Sequence, residues 1–277
     1  MILNRRTFLA GAAAAAVTVG HHAKAAERKL FDSHFHIIDP RFPIVPNQGY
    51  TPPFFTLDAY LSQVRPLGVV AGAVVSASFQ AYDQTYLAEA LSKLGKGWVG
   101  VSQIPNDMPD AEIVRLGGLG VRALRFNIFR GQAWNMDDIV SLATRAHAAA
   151  GWHAEFYADA AELKPHVDRL AKLPRISIDH LGMTEAGLPV VLDLVAAGAW
   201  VKATGFGRVS MDVENALERI AAKNPNALVF GTDLPSTRAK VPFSPSDVDL
   251  IQKVLGTDVA RKTFWDNPVA LYRVEAA

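Results

Sequence analysis

A single-domain (β/α)8 barrel is the fold this sequence predicts, and three observations carry the prediction. Eight short runs rich in Val, Ile, Ala and Phe recur along the 277 residues. Helical patterns alternate with them, and about 250 residues for eight such units is the size and rhythm of a (β/α)8 barrel. The first run ends in histidines, where a doubly wound sheet would place a Gly-rich phosphate loop.

The N-terminus does not read as part of that fold. Residues 1–25, MILNRRTFLAGAAAAAVTVGHHAKA, carry the pair Arg5–Arg6, then Thr7, Phe8 and Leu9, an Ala-rich stretch, and the small-x-small ending Ala23-Lys24-Ala25. This is the layout of a cleaved export signal, and RRTFL resembles its twin-arginine form. The expected division is therefore a signal peptide over 1–25 and a barrel domain over 26–277. The apolar tract from Phe8 to Gly20 falls short of the ~20 residues of a spanning helix. A soluble periplasmic protein follows, with the twin-arginine export machinery as a partner and no stable membrane anchor. Cleavage removes three basic residues and no acid, leaving 25 basic against 27 acidic residues. That balance argues against a nucleic-acid partner. Cysteine is absent, which excludes disulfides and Cys-ligated zinc.

The strands are expected in order as follows. Leu30–Ile37 opens the barrel and carries His34 and His36, which share a face because strand side chains alternate. Asp39–Thr56, rich in Pro and aromatics, is long enough to suggest a lid over the barrel mouth. After the helical pattern LDAYLSQVRPLG comes Val69–Ser78, with Ser76 and Ser78, and after TYLAEALSKLG comes Trp98–Ile104. Val121–Ile128 carries Arg125 and Asn127, with Arg130 just beyond. MDDIVSLATRAHAAAG, with an aspartate as its N-cap, leads to Trp152–Ala158, which holds Glu155 and Tyr157 and has His153 at its opposite end. ELKPHVDRLAKL precedes Ile176–Leu181 with His180. Trp200–Gly205 carries Lys202 and Thr204, with Arg208 after it. A helix capped by Asp212 precedes Ala227–Asp233, which ends in Asp233.

Barrel active sites lie at the C-terminal ends of the strands, so six of these strands deliver polar groups to one rim. Asp233 is placed to act as a general base for water or to orient a histidine that does. His34, His36 and His180 are placed to stabilise an oxyanion, either as donors or through a zinc ion they bind. Arg125 and Arg130 offer guanidinium forks, with Arg208 as a looser third, and point to a small anionic organic substrate. The plainer readings are a structural salt bridge for Arg125, aromatic packing for Tyr157 and strand packing for Ser76 and Ser78. Whether Arg208, Lys202 and Glu155 reach the site stays open.

The motifs SHFHIID, IDHLG and FGTDLP fall in that order on strands one, six and eight, joined by VRALRFN and the closing FWDNPVALY. Together they resemble the amidohydrolase superfamily, specifically its amidohydrolase-related branch of barrel hydrolases, over the whole chain after the signal. The resemblance implies that His34, His36, His180 and Asp233 form the central cluster. It also implies that Arg125, Arg130 and Tyr157 hold the carboxylates or carbonyl of a lactone, with Ser76 and Ser78 nearby. Most two-metal members carry a carboxylated lysine on strand four and a histidine on strand five. Arg125 and Asn127, Glu155 and Tyr157 stand there instead, so the choice is one metal or none. No cofactor is favoured; if one zinc-type divalent ion is bound, His34, His36, His180 and Asp233 are its ligands. The implied activity is hydrolysis of a carboxylate-bearing lactone by activated water. The alternatives are a mononuclear zinc amidohydrolase or decarboxylase of the same branch, and a non-catalytic periplasmic binding protein.

Overall fold

Strands whose side chains are apolar on both faces need cover on both, and a closed ring of parallel strands inside a ring of helices supplies it. In the structure, a computed structural model that describes residues 29–130 and 134–275, eight strands pair in parallel in chain order. They are β1 (Leu30–Phe35), β2 (Val69–Val75), β3 (Trp98–Ser102), β4 (Val121–Asn127), β5 (His153–Tyr157), β6 (Ile176–Ile178), β7 (Trp200–Ala203) and β8 (Leu228–Phe230). The seam between β8 and β1 is stitched just beyond the strand ends. Asp233 N donates to His34 O at 2.7 Å and His36 N donates to Leu234 O at 2.8 Å. The expected barrel is therefore present, and residues 1–25 lie outside the described residues. Among the described residues no helix is long and apolar enough to cross a membrane.

The helices are α1 (Leu57–Val64), α2 (Thr85–Leu94), α3 (Asp110–Gly118), α4 (Met136–Ala150), α5 (Val167–Leu170), α6 (Leu188–Ala196), α7 (Val213–Lys223), α8 (Pro245–Arg261) and α9 (Asn267–Tyr272). Asp212 caps α7, its carboxylate accepting from Asn215 N at 3.1 Å. The cap of α4 differs from the expectation: Asn135 accepts from Asp137 N, and Asp137 and Asp138 fill the first turn, where carboxylates complement the helix dipole. ELKPHVDRLAKL is also less helical than expected. Pro165 lies within a 3-10 stretch over Ala160–His166, and only Val167–Leu170 is α-helical, because proline lacks the N–H an interior turn needs.

The lumen is filled from the bottom upward. Phe31, Ala71, Ala73, Val75, Val99, Val101, Ala123 and Val229 form its apolar floor, with Tyr272 of α9 plugging the base. Tyr272 stacks on Phe31 at 5.5 Å, and its hydroxyl donates to Ser33 O. A register shift in β1 between Asp32 and Phe35 lets Phe31 and His34 both face the lumen. Phe35 instead stacks outward on Tyr60 of α1 at 3.7 Å.

Candidate active site

Above the apolar floor lies a layer of buried charge. Arg125 of β4 donates from Nε (3.0 Å) and Nη2 (2.8 Å) to Asp179 Oδ2, and from Nη1 to Ser76 O (3.1 Å). Lys202 of β7 donates to Glu155 of β5 and lies 3.4 Å from Asp179 Oδ1. Burial, together with the charge of Asp179, pushes the Glu155 carboxyl up to about 7 against the pull of Lys202 and Arg125. Burial opposes ionisation of Asp179 as well, but Lys202 and Arg125 outweigh it and hold its carboxyl well below the usual range. Four ionisable side chains in so dry a place are tolerable only because each is paired.

The histidine cluster rests on this layer. Lys202 Nζ lies 3.1 Å from His34 Nδ1, and His36 Nδ1 lies 2.8 Å from Val75 O. Asp233 Oδ1 sits 3.7 Å from His34 Nε2, 3.7 Å from His36 Nε2 and 4.0 Å from His180 Nε2. Asp233 Oδ1 and His34 Nε2 are buried with no hydrogen-bond partner in the protein. The other carboxylate oxygen of Asp233 accepts from Arg208 Nε at 2.8 Å and from Arg208 Nη2. Burial opposes the charge on Asp233, yet Arg208 and the adjacent imidazoles keep the carboxyl far below its ordinary value. Burial lowers His34 well below 6.5 and takes His180 down to about 3, so both imidazoles are neutral near pH 7.

The expected strand ends overreach at the mouth. β2 stops at Val75, β6 at Ile178 and β8 at Phe230, and the chain then leaves regular geometry. His180 (φ 50) and Asp233 (φ 59) both occupy the left-handed region, a costly conformation for residues with a Cβ and a common one at functional sites. Ser76 and Ser78 consequently do not share a face. The Ser76 hydroxyl is 2.7 Å from Tyr86 Oη on α2, whereas Ser78 opens a 3-10 turn and lines the mouth with Arg130, Tyr157, Arg208 and Arg238. The structure thus gathers His36, His180, Asp233, Arg125, Arg130, Tyr157 and Ser78 around one cavity, packs the fully buried His34 against Asp233 and His180, and turns Ser76 toward a helix. Lys202 and Glu155 lie directly beneath that cavity, and Arg208 reaches it.

Sequence reasoning missed Asp179, Asp32 and Arg238. Asp179 precedes His180 in IDHLG, and the buried partner that Arg125 requires was its only signal. Asp32 accepts from Thr232 N (2.8 Å), Thr232 Oγ1 (2.7 Å), Tyr60 Oη (2.9 Å) and His34 N (3.1 Å). It thereby ties the two chain segments that carry His34 and Asp233. Arg238 lies over Tyr50 (4.6 Å) and Phe79 (5.4 Å) and donates to Asn47 Oδ1. This contact fastens the loop expected to act as a lid to the β8–α8 loop.

Two consequences are measurable. A Cβ on Gly205 would lie 2.6 Å from His180 Nδ1, and the residue has φ +64. Gly205→Ala is therefore expected to displace His180 and lower kcat at least tenfold, at a stability cost of about 1–2 kcal/mol for the left-handed backbone and about 1–3 kcal/mol for the clash with the buried imidazole. Unchanged kinetics would show that His180 has no positional role.

The second concerns acid. His34, His153 and His180 stay neutral when folded, while the unfolded chain protonates them below about 6.5. Each therefore costs stability as pH falls through that value. Asp32, raised by burial to about 6, and Glu155, raised to about 7, act in the opposite sense, because the folded form binds their protons first. Asp247, raised less by burial, acts weakly in the same sense, so the three histidines outweigh the carboxyls and stability is expected to drop by about 1 kcal/mol per unit between pH 6 and 5. Urea unfolding at the two pH values reads this directly, and a flat or rising stability would contradict it.

The amidohydrolase family model matches residues 31–274. A 2-pyrone-4,6-dicarboxylate hydrolase of Comamonas testosteroni is 27% identical, the match covering 87% of this chain and 89% of that protein. Among solved structures, one from Pseudomonas putida, provisionally assigned as a 2-pyrone-4,6-dicarboxylic acid hydrolase, superposes with a TM-score of 0.78 at 26% identity, covering 90% of this chain and 99% of that one. One from Acinetobacter baumannii, with the same kind of provisional assignment and citric acid bound, gives a TM-score of 0.79 at 18% identity, covering 89% and 100%; at that identity it speaks for the fold alone. With the family match spanning almost the whole barrel, the chain belongs to the amidohydrolase family.

Proposed function

We propose that this protein is a hydrolase that opens a carboxylate-bearing lactone by attack of an activated water on the ring carbonyl. The observation that carries the reading is the unpaired Asp233 Oδ1, which faces three imidazoles at 3.7–4.0 Å beneath a mouth lined by Arg130, Arg208 and Arg238. The named activity of the Comamonas testosteroni relative, on a lactone with two carboxylates, supports the same class.

Hydrogen-bond partners assign the tautomers that such chemistry needs. The Lys202 ammonium, which can only donate, lies 3.1 Å from His34 Nδ1, and Asp179 Oδ1 lies 3.5 Å from the same nitrogen; the closer contact favours the tautomer with its hydrogen on Nε2, directed at a carbonyl oxygen. His36 spends its Nδ1 hydrogen on Val75 O, so its Nε2 presents a lone pair beside Asp233 Oδ1. Two acceptors side by side call for a shared donor, and the attacking water is that donor. The water oxygen bonds to the carbonyl carbon as its proton passes to Asp233 Oδ1. The ring C–O bond then breaks, the departing oxygen takes that proton from Asp233, and the new carboxylic acid loses its remaining proton to solvent, giving the open dicarboxylate or tricarboxylate. Arg130, Tyr157 and Ser78 are positioned to hold the substrate's carboxylates. Arg125 acts from below, since Asp179 and Ser76 O already use its donors.

The donor set also fits one divalent ion in kind: ligand atoms of His34, His180 and Asp233 lie within 4.8 Å of one another. With His36 these residues would hold it, and it would supply Lewis-acid polarisation of the carbonyl. Two contacts favour the metal-free reading. With its hydrogen on Nε2, His34 has no lone pair there for a metal, while Arg208 on the second oxygen of Asp233 holds that carboxylate without one. Purified protein is expected to open 2-pyrone-4,6-dicarboxylate or a related carboxylated lactone at a rate a chelator does not change. Chelator-sensitive turnover with about one metal per chain would overturn the metal-free form and leave the hydrolase standing.

We also read residues 1–25 as a twin-arginine signal that takes the protein to the periplasm, on the strength of Arg5–Arg6 and Ala23-Lys24-Ala25. Changing both arginines to lysine is expected to retain the unprocessed chain in the cytoplasm, as cell fractionation would report.

A further inference from the structure

The cavity directly over the histidine cluster is small, about 30 Å³, which is room for two or three water-sized groups at roughly 10–15 Å³ each. Two larger chambers lie beside it at the ends of β3 and β4, and each shares lining residues with it. One, of about 250 Å³, shares Ser78, Asn127 and Arg130 with it; the other, of about 200 Å³, shares Arg125 and Asn127. Asn127 lines all three. It is 3% exposed, and its Oδ1 has no hydrogen-bond partner in the protein, an expensive state for a buried amide unless a ligand completes it. Tyr82 and Trp134 on the walls of the outer chamber are 48% and 37% exposed, with Trp134 packed edge-on against His166 at 5.5 Å, so the chamber is bounded by aromatic surface that a planar group can cover. Charge divides the two ends. Arg130, Arg208 and Arg238 surround the central cavity. Among the described residues, the outer chamber has Asp138 on its wall and only Arg125, already committed to Asp179, to set against it.

We infer that the site has two parts, and that its substrate is a carboxylated cyclic ester bearing a neutral planar substituent. The carboxylated ring reacts over Asp233, Asn127 hydrogen-bonds the substrate at the junction, and the substituent lies between the β3 and β4 ends against Tyr82, Ile104 and Trp134. This inference rests on the proposed hydrolase reading and names its substrate more narrowly.

Binding of two unreactive probes, isophthalate and 5-phenylisophthalate, tests it by calorimetry without needing turnover. The wild-type protein is expected to bind the phenyl compound about tenfold more tightly. Asn106 is an exposed residue of the outer chamber whose backbone carbonyl, not its side chain, holds Arg145. Asn106→Trp fills that chamber and is expected to bring the ratio of the two affinities to about one; Tyr82→Ala is expected to reduce the gain about threefold. Isophthalate binding with no gain from the phenyl ring, or a gain that survives Asn106→Trp, overturns the two-part site and leaves the hydrolase reading intact. If neither compound binds, the arginine-lined anion site underneath both readings fails.

Discussion

Asp233→Asn lowers kcat on a carboxylated lactone by roughly a thousandfold, the scale expected when a positioned general base is lost, and leaves substrate affinity within a few-fold. Asp233 Oδ1 is the ionised acceptor atom at the centre of the cavity, so its loss removes the charged group that draws the water's proton. The amide keeps the shape but removes the charge that Arg208 faces. That leaves a buried guanidinium uncompensated, at a cost of ~3 kcal/mol, or a drop in Tm of about 6–12 °C for a domain of this size. Kinetics should therefore be taken well below the lowered Tm. A variant that retains more than a tenth of wild-type kcat would assign the proton transfer elsewhere.

Lys202→Met is expected to be the most destabilising single change at the site. It leaves Glu155 facing Asp179 with Arg125 as the sole nearby cation of the layer, and breaking a buried pair by removing one partner costs about 3–5 kcal/mol. It also removes the donor at His34 Nδ1, freeing the imidazole to take the other tautomer, so kcat should fall as well. Adding Glu155→Gln, which removes the stranded carboxylate, should recover most of the stability but not the rate, because the His34 contact stays lost. Recovery of both in the double variant would mean that Lys202 acts only through charge balance. Thermal unfolding and kcat on the three proteins separate these outcomes.

The two effects show where the sequence was legible. The barrel, its strand order and the inward pairing of His34 and His36 follow from alternation, which a single chain displays. Arg125 and Asn127 share the lumen face for the same reason. What alternation cannot supply is the geometry after a strand ends. Ser76 and Ser78 read as a pair, yet β2 stops at Val75, and the Ser76 hydroxyl turns to Tyr86. His180 and Asp233 reach the centre through left-handed backbone, which leaves no mark in composition. Arg125 read as a substrate clamp because its partner, Asp179, sits 54 residues away, and a pairing at that distance appears only once the barrel is closed. Arg238 was hidden by its place on a loop, where no period applies.

The most direct test of the account is ring opening of 2-pyrone-4,6-dicarboxylate or another carboxylated lactone in ¹⁸O-labelled water, with the product read by mass spectrometry. One ¹⁸O per turnover, in the carboxylate formed from the lactone carbonyl and lost with Asp233→Asn, is the predicted result. Ring opening without label in that carboxylate, or no opening of any carboxylated lactone by correctly folded protein, would contradict it.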